Sequence, residues 1–273
     1  VFDLDDARPA IGEDGAGDGA LLLVRDHREA DVAFIGALLV AAGIALAVWA
    51  VHHCCHSRDP LLPLETLSIH TFRVSIYGGS LFRLAISALP FLLPLLFQVA
   101  FGLSPVDAGL LVLAVFAGNL AMKPFTTAIM RRYGFRQVLL VNGVIGVMSI
   151  AACAFFTAQT PFALIVAVLF AGGLSRSMQF TCYNSIGFAD VPKPRMSEAS
   201  ALFSMSFQLA MGMGVTVAAL LLRASMTLQG HEMQAQVGDF RVAFVGVALL
   251  GAWALVDVYR LRVGAGESVL NRQ

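Results

Sequence analysis

The sequence predicts an all-α membrane protein with seven transmembrane helices, and three observations carry that prediction. Of 273 residues, 58% are apolar and only 13% are charged, against roughly 25% charged in a soluble domain. The apolar residues gather into seven runs, each near the ~20 residues that cross a bilayer core as a helix. The breaks between runs carry Gly, Pro or charge, where helices stop. Runs this long and this evenly apolar are not barrel strands, which alternate. Helices satisfy their own backbone in lipid.

Taken in order, residues 1–30 are acidic and Gly-rich and read as a flexible, solvated segment. They show no basic-then-apolar signal-peptide pattern. The chain starts with Val rather than Met, so the expectation is a fragment or a start codon other than ATG. The first span is about 32–52, ending at His52-His53. The second is about 74–99, and its Pro90 and Pro94 each remove a backbone donor and predict a kink. The others are about 106–129, 137–158, 161–188, 198–223 and 240–261. Turns separate them at Gly102-Leu103-Ser104-Pro105, Arg131-Arg132-Tyr133-Gly134, Gln159-Thr160-Pro161 and Pro192-Lys193-Pro194.

Orientation follows from Lys and Arg. Placing the 52–73 connection in the cytoplasm puts eleven of the eighteen Lys and Arg on that side, and only Arg223 and Arg241 in the opposite inter-helix loops. The positive-inside rule then sets the C-terminus in the cytoplasm and the N-terminus outside.

Charges inside spans are functional candidates. Arg83 falls near the middle of the second span and Arg176 in the fifth. The nearest acids, Asp107, Asp190 and Glu198, sit at span ends, and no carboxylate lies mid-span. A guanidinium in hydrocarbon costs at least ~2.5–3.5 kcal/mol on insertion scales, so each Arg must face protein, water or an anion. One reading is a structural clamp on carbonyls, Gln or Asn. The other is a cavity-lining cation that binds substrate. Gln98, Asn119, Asn142, Asn184 and Gln208 are further in-span polar groups. Arg176, Gln179 and Tyr183 share a helix face at i, i+3 and i+7, and such a stripe serves either as interhelical glue or as a cavity wall. Gly212 and Gly214, Gly172 and Gly173, Gly143 and Gly146, and Ala114 with Gly118 predict close helix packing.

The consecutive residues His52-His53-Cys54-Cys55-His56 would splay around one helical turn, so a polar cap is the better reading than a metal site. No phosphate-cradling loop, HExxH or nucleophile elbow is present. The prediction is no enzyme, no cofactor and no metal. With zero net charge, composition gives no argument for nucleic acid. A retinal protein would need a Lys in the last span, and 240–261 has none.

From Leu61 onward the sequence resembles the C-terminal part of a major facilitator superfamily transporter, of the fourteen-span drug–proton antiporter branch (EmrB/QacA type). The resemblance rests on Pro60-Leu-Leu-Pro-Leu64, on Gly79-Ser-Leu-Phe-Arg83, and on Leu89-Pro-Phe-Leu-Leu-Pro-Leu-Leu-Phe-Gln98 with Gly102-Leu-Ser-Pro105. It continues through Arg131-Arg132-Tyr133-Gly134-Phe135-Arg136 and Gly172-Gly-Leu-Ser-Arg176-Ser-Met-Gln179-Phe180, to Asn184, Asp190-Val-Pro192 and Met196-Ser-Glu-Ala-Ser200. It implies three segments: a tail over 1–30, a linker transmembrane helix over 31–56, and a six-helix C-terminal transporter domain over 57–273. It also implies alternating access around a midplane cavity, driven by protons, in a cell (inner) membrane. The expected partners are the lipid bilayer, small hydrophobic substrates, protons and an N-terminal transporter half.

Arg131, Arg132, Gly134 and Arg136 match the superfamily's cytoplasmic loop motif. Arg131 stands where that motif has Asp and Thr127 where it has Gly, so no carboxylate latch is expected there. The substrate-cavity candidates are Arg83, Gln98, Asn119, Arg176, Gln179, Tyr183, Asn184 and Gln208. The expected function is the C-terminal half of a proton-coupled multidrug efflux transporter that does not transport alone. The alternative is a degenerate or truncated membrane module without transport activity.

Overall fold

In the computed structural model, residues 64–230 and 234–261 are described, together with 42–43, 45–46, 48–49 and 52–53. The chain divides into two compact units, Val1–Leu61 and Leu62–Gln273. In the first, the described positions are helical, and the Trp49 and His53 rings stack at 5.7 Å. Most of the span expected at 32–52 lies outside the described residues, as do Cys54, Cys55 and His56.

The described residues of the second unit are mostly helical. We number its helices α1 His70–Ser87, α2 Leu89–Leu95, α3 Pro105–Met122, α4 Thr126–Cys153, α5 Phe162–Gly187, α6 Met196–Gln229 and α7 Val237–Tyr259. Five continuous stretches are long and apolar enough to cross a membrane: His70–Ala100, Pro105–Cys153, Phe162–Gly187, Lys193–Gln229 and Val237–Tyr259. The stretch Pro105–Cys153 holds 49 residues, about 74 Å of helix and more than twice a ~30 Å hydrocarbon core. It is broken by a kink at Gly134, whose φ of 73° and ψ of 161° are not helical. That left-handed φ suits glycine. The second to seventh expected spans are thus all present, two of them joined through an unbroken run of turns. Their ends shift by a few residues: the fourth stops at Cys153 rather than about 158, and the sixth runs on to Gln229.

Local chemistry explains the ends. Ser104 caps α3 by accepting from the Asp107 amide at 3.1 Å, with Pro105 at the first turn. Gln236 and Asp239 form a capping box on α7. Gly230, at φ 71°, closes α6. In the first crossing the helix breaks at Ala88 between α1 and α2 and then widens to a π-turn over Leu96–Ala100. Pro90 cannot donate to Ile86, nor Pro94 to Pro90, and these losses account for the bends.

Helix α5 packs on α3, α4 and α1; α7 packs on α4, α1 and α6; and α1 also meets α6. Gly118 and Gly173 make the α3–α5 contact close. A Cβ on Gly118 would strike the Phe170 carbonyl, and one on Gly173 the Val115 carbonyl. Gly212 departs from expectation, because a Cβ there meets nothing. The outward faces carry Leu110, Leu113, Phe116, Val144, Met148, Leu249 and Trp253, all exposed. An apolar belt of this extent is unfavourable in water and natural against lipid.

Candidate functional site

Arg83 sits on α1 with no exposed surface. Its Nη2 donates to Asn184 Oδ1 on α5 at 3.0 Å. Its guanidinium carbon lies 4.6 Å from the Phe207 ring centre, 4.7 Å from Phe203 and 5.5 Å from Phe180. Arg176 reaches the same Phe180 ring at 5.7 Å. The two in-span arginines, 93 positions apart in sequence, therefore share one aromatic ring. Cation–π contact of this kind is worth ~2 kcal/mol or more when desolvated.

Hydrogen bonding around these cations is incomplete. Arg83 Nε and Nη1, Arg176 Nε and Tyr183 Oη are buried without a hydrogen-bond partner. Tyr183 is fully buried beside Phe82, with ring centres 6.2 Å apart. Gly78 and Gly79 leave room for it, because a Cβ at either would come within 3.3 Å of its ring or hydroxyl. Ser87 fixes the same turn of α1 by donating to the Arg83 carbonyl at 2.6 Å. Asn184, the one side chain bonded to the guanidinium, is itself exposed. The site thus holds buried cationic donors against an aromatic wall and opens at an amide.

The expected polar stripe on α5 divides. Gln179 is fully buried, but it turns to α4: its Nε2 donates to the Leu139 carbonyl at 3.0 Å, and its Oε1 accepts from Asn142 at 3.1 Å. Asn142 also donates to the Ser175 carbonyl, and Ser175 Oγ to the Asn142 carbonyl, both at 2.8 Å. Gln179 is interhelical glue, Arg176 joins the α1–α5–α6 cluster through Phe180, and Tyr183 packs between α5 and α1 with its hydroxyl toward α7. Gln208 is exposed next to Phe207 on α6. Asn119 is half-buried on α3, where its backbone approaches Gly173. Gln98 is exposed in the π-turn, fifteen residues or about 22 Å of helix from Arg83, and is not part of the cluster.

At the loop motif, Arg131 and Arg132 are exposed before the Gly134 break. Arg136 reaches across to α7: its Nη2 donates to the Tyr259 carbonyl at 3.1 Å, and its guanidinium lies 5.6 Å from that ring. A cation at a helix C-terminus is favourable.

The sequence reading passed over Phe180, Phe203 and Phe207. Their signal was spacing: Phe180 follows Arg176 by four, and Phe203 and Phe207 are a turn apart. It also passed over two acids of α7. Asp239 is fully buried and accepts from Ser225 at 2.9 Å. Asp257 is half-buried near the other end.

The family model of the Major Facilitator Superfamily matches residues 20–215 and 76–268. The chain belongs to the Major Facilitator Superfamily. Among its relatives are proteins named for multidrug resistance, MdtD. That of Pectobacterium carotovorum is 33% identical over 211 residues, which is 77% of this chain and 44% of the relative. That of Pectobacterium atrosepticum is 32% identical over 67% of this chain and 40% of the relative. That of Escherichia coli is 31% identical over 67% of this chain and 39% of the relative. The chain thus spans about two fifths of the length of these curated relatives. Membership makes it a multi-pass membrane protein of a transporter family, as the resemblance predicts.

Proposed function

We propose that the chain is the C-terminal part of a proton-coupled multidrug exporter that works by alternating access and does not transport alone. One observation carries this reading: two guanidiniums converge on the Phe180 ring. Placing two cations there costs several kcal/mol, which their cation–π contacts offset only in part. A substrate-facing role explains their presence. Residues 1–30 are a tail, 31–56 a linker helix, and 57–273 the six-helix half whose Arg176 and Asn184 face substrate, with Arg83 buried behind Asn184. The partners are the bilayer, protons, small hydrophobic substrates and an N-terminal half. The membrane is the inner one, with the C-terminus in the cytoplasm.

Among the described residues no carboxylate pairs with Arg83 or Arg176. The favoured substrates are therefore neutral or anionic aromatic compounds, and the proton-binding carboxylate belongs to the N-terminal half. The test is reconstitution in vesicles with an imposed pH gradient. Residues 1–273 alone are expected to give no export, and the same chain joined to an N-terminal half is expected to give it. Proton-coupled export by residues 1–273 alone contradicts the proposal.

A further inference from the structure

We infer that the groove between the start of α1 and the end of α7 binds a phospholipid headgroup carrying both a phosphate and a primary amine. The groove encloses about 360 Å³ and is lined by His70, Arg73, Val74, Tyr77, Asp257 and Arg260. That volume lies within the ~300–1,000 Å³ range of small-molecule sites. It is distinct from the Arg83 cluster and does not depend on the transport reading.

Depth is the first argument. The stretch His70–Ala100 has 31 residues, about 46 Å of helix against a ~30 Å hydrocarbon core. Its first turns therefore reach the headgroup layer, and with them the groove. Tyr77, an exposed residue, is the kind of amphipathic side chain that sits at that level.

Charge is the second argument. Arg73 and Arg260 are exposed, and Asp257 in the same lining is half-buried. His70 Nδ1 lies 3.4 Å from Arg73 Nη2 and steadies that guanidinium. Two guanidiniums suit a phosphate, which they hold through paired N–H donors, and the amino end of α1 adds its positive dipole end. Asp257 opposes a purely anionic ligand, and the arginines oppose a cation. A zwitterion satisfies both, with its phosphate on Arg73 and Arg260 and its ammonium on Asp257. The ammonium must carry N–H donors, because a trimethylated amine offers Asp257 no hydrogen bond.

Native mass spectrometry of residues 1–273, delipidated in detergent, tests this with phosphatidylethanolamine, phosphatidylglycerol, phosphatidylcholine and inorganic phosphate as probes. Phosphatidylethanolamine is expected to bind about tenfold more tightly than the other two lipids. Arg73→Ala combined with Arg260→Ala is expected to lower that affinity by about tenfold. Asp257→Asn, which keeps the shape of the side chain, is expected to erase the preference for ethanolamine over glycerol. Circular dichroism confirms that each variant is folded; should the arginine pair prove necessary for folding, the Asp257→Asn comparison decides alone. Equal binding of the three lipids, or an ethanolamine preference that survives Asp257→Asn, overturns the proposal. Displacement of the lipid by millimolar phosphate overturns the lipid as the source of the headgroup.

Discussion

On one side of α5, Ser175 and Gln179 take part in four hydrogen bonds with α4, through Asn142 and the Leu139 carbonyl. On its other side, Arg176, with Arg83 across on α1, leaves three buried nitrogens unpartnered. The two regions share one helix and are less than two turns apart. In the first, polar groups are mutually satisfied, which is how polar residues hold membrane helices together. In the second, donors are buried against aromatic rings without a hydrogen-bond partner. A folded protein pairs its buried polar groups where it needs them only for structure. The difference between the two regions therefore separates a fastening from a site.

The comparison can be broken in several ways. The largest effect belongs to the packing that carries both regions. Gly173→Leu drives a side chain into the Val115 carbonyl and should cost about 3 kcal/mol or prevent folding, read as lost yield of monodisperse protein in detergent. Gln179→Leu comes next. It leaves Asn142 short of an acceptor and should cost about 1–2 kcal/mol, read as a lower midpoint in SDS-induced unfolding. A change below 0.3 kcal/mol, roughly the scatter of independent mutational effects, would mean that the α4–α5 bonds are not a fastening.

Arg83→Leu should behave in the opposite way. Replacing an incompletely bonded buried charge by an apolar side chain is often neutral or stabilising. The same variant, placed in the chain joined to an N-terminal half, should lower export by about tenfold or more. Arg136→Ala should have the smallest effect. It removes one bond to the last turn of α7 and should lower stability by about 0.5 kcal/mol, read in the same unfolding assay.

Much of the fold was legible in the sequence, because spans announce themselves by composition. The Ser104-Pro105 start of α3 and the Gly134 turn could be read directly. The end of α6 drifted by several residues, since Gly230 closes the helix well beyond the end of its apolar run and a helix in the headgroup layer need not stop where that run does. The site was legible only in part. Arg83 and Arg176 stood out as charges in apolar runs. That they meet at Phe180 depends on how α1, α5 and α6 are rotated about their axes, and no one-helix periodicity contains that. The same limit explains Gln179: its spacing places it on a face with Arg176 and Tyr183, but a face is wide enough to touch two neighbours. Asp257 was passed over because it lies at the end of an apolar run, and only the fold sets it opposite Arg73.

The most direct test of the central claim is the unfolding midpoint of Arg83→Leu beside that of Gln179→Leu, both in residues 1–273 in the same detergent. A site at Arg83 predicts that Gln179→Leu unfolds at a lower SDS fraction than the parent, while Arg83→Leu unfolds at the same fraction or a higher one. If Arg83→Leu is destabilised as much as Gln179→Leu, the arginine is a fastening too, and the account is contradicted.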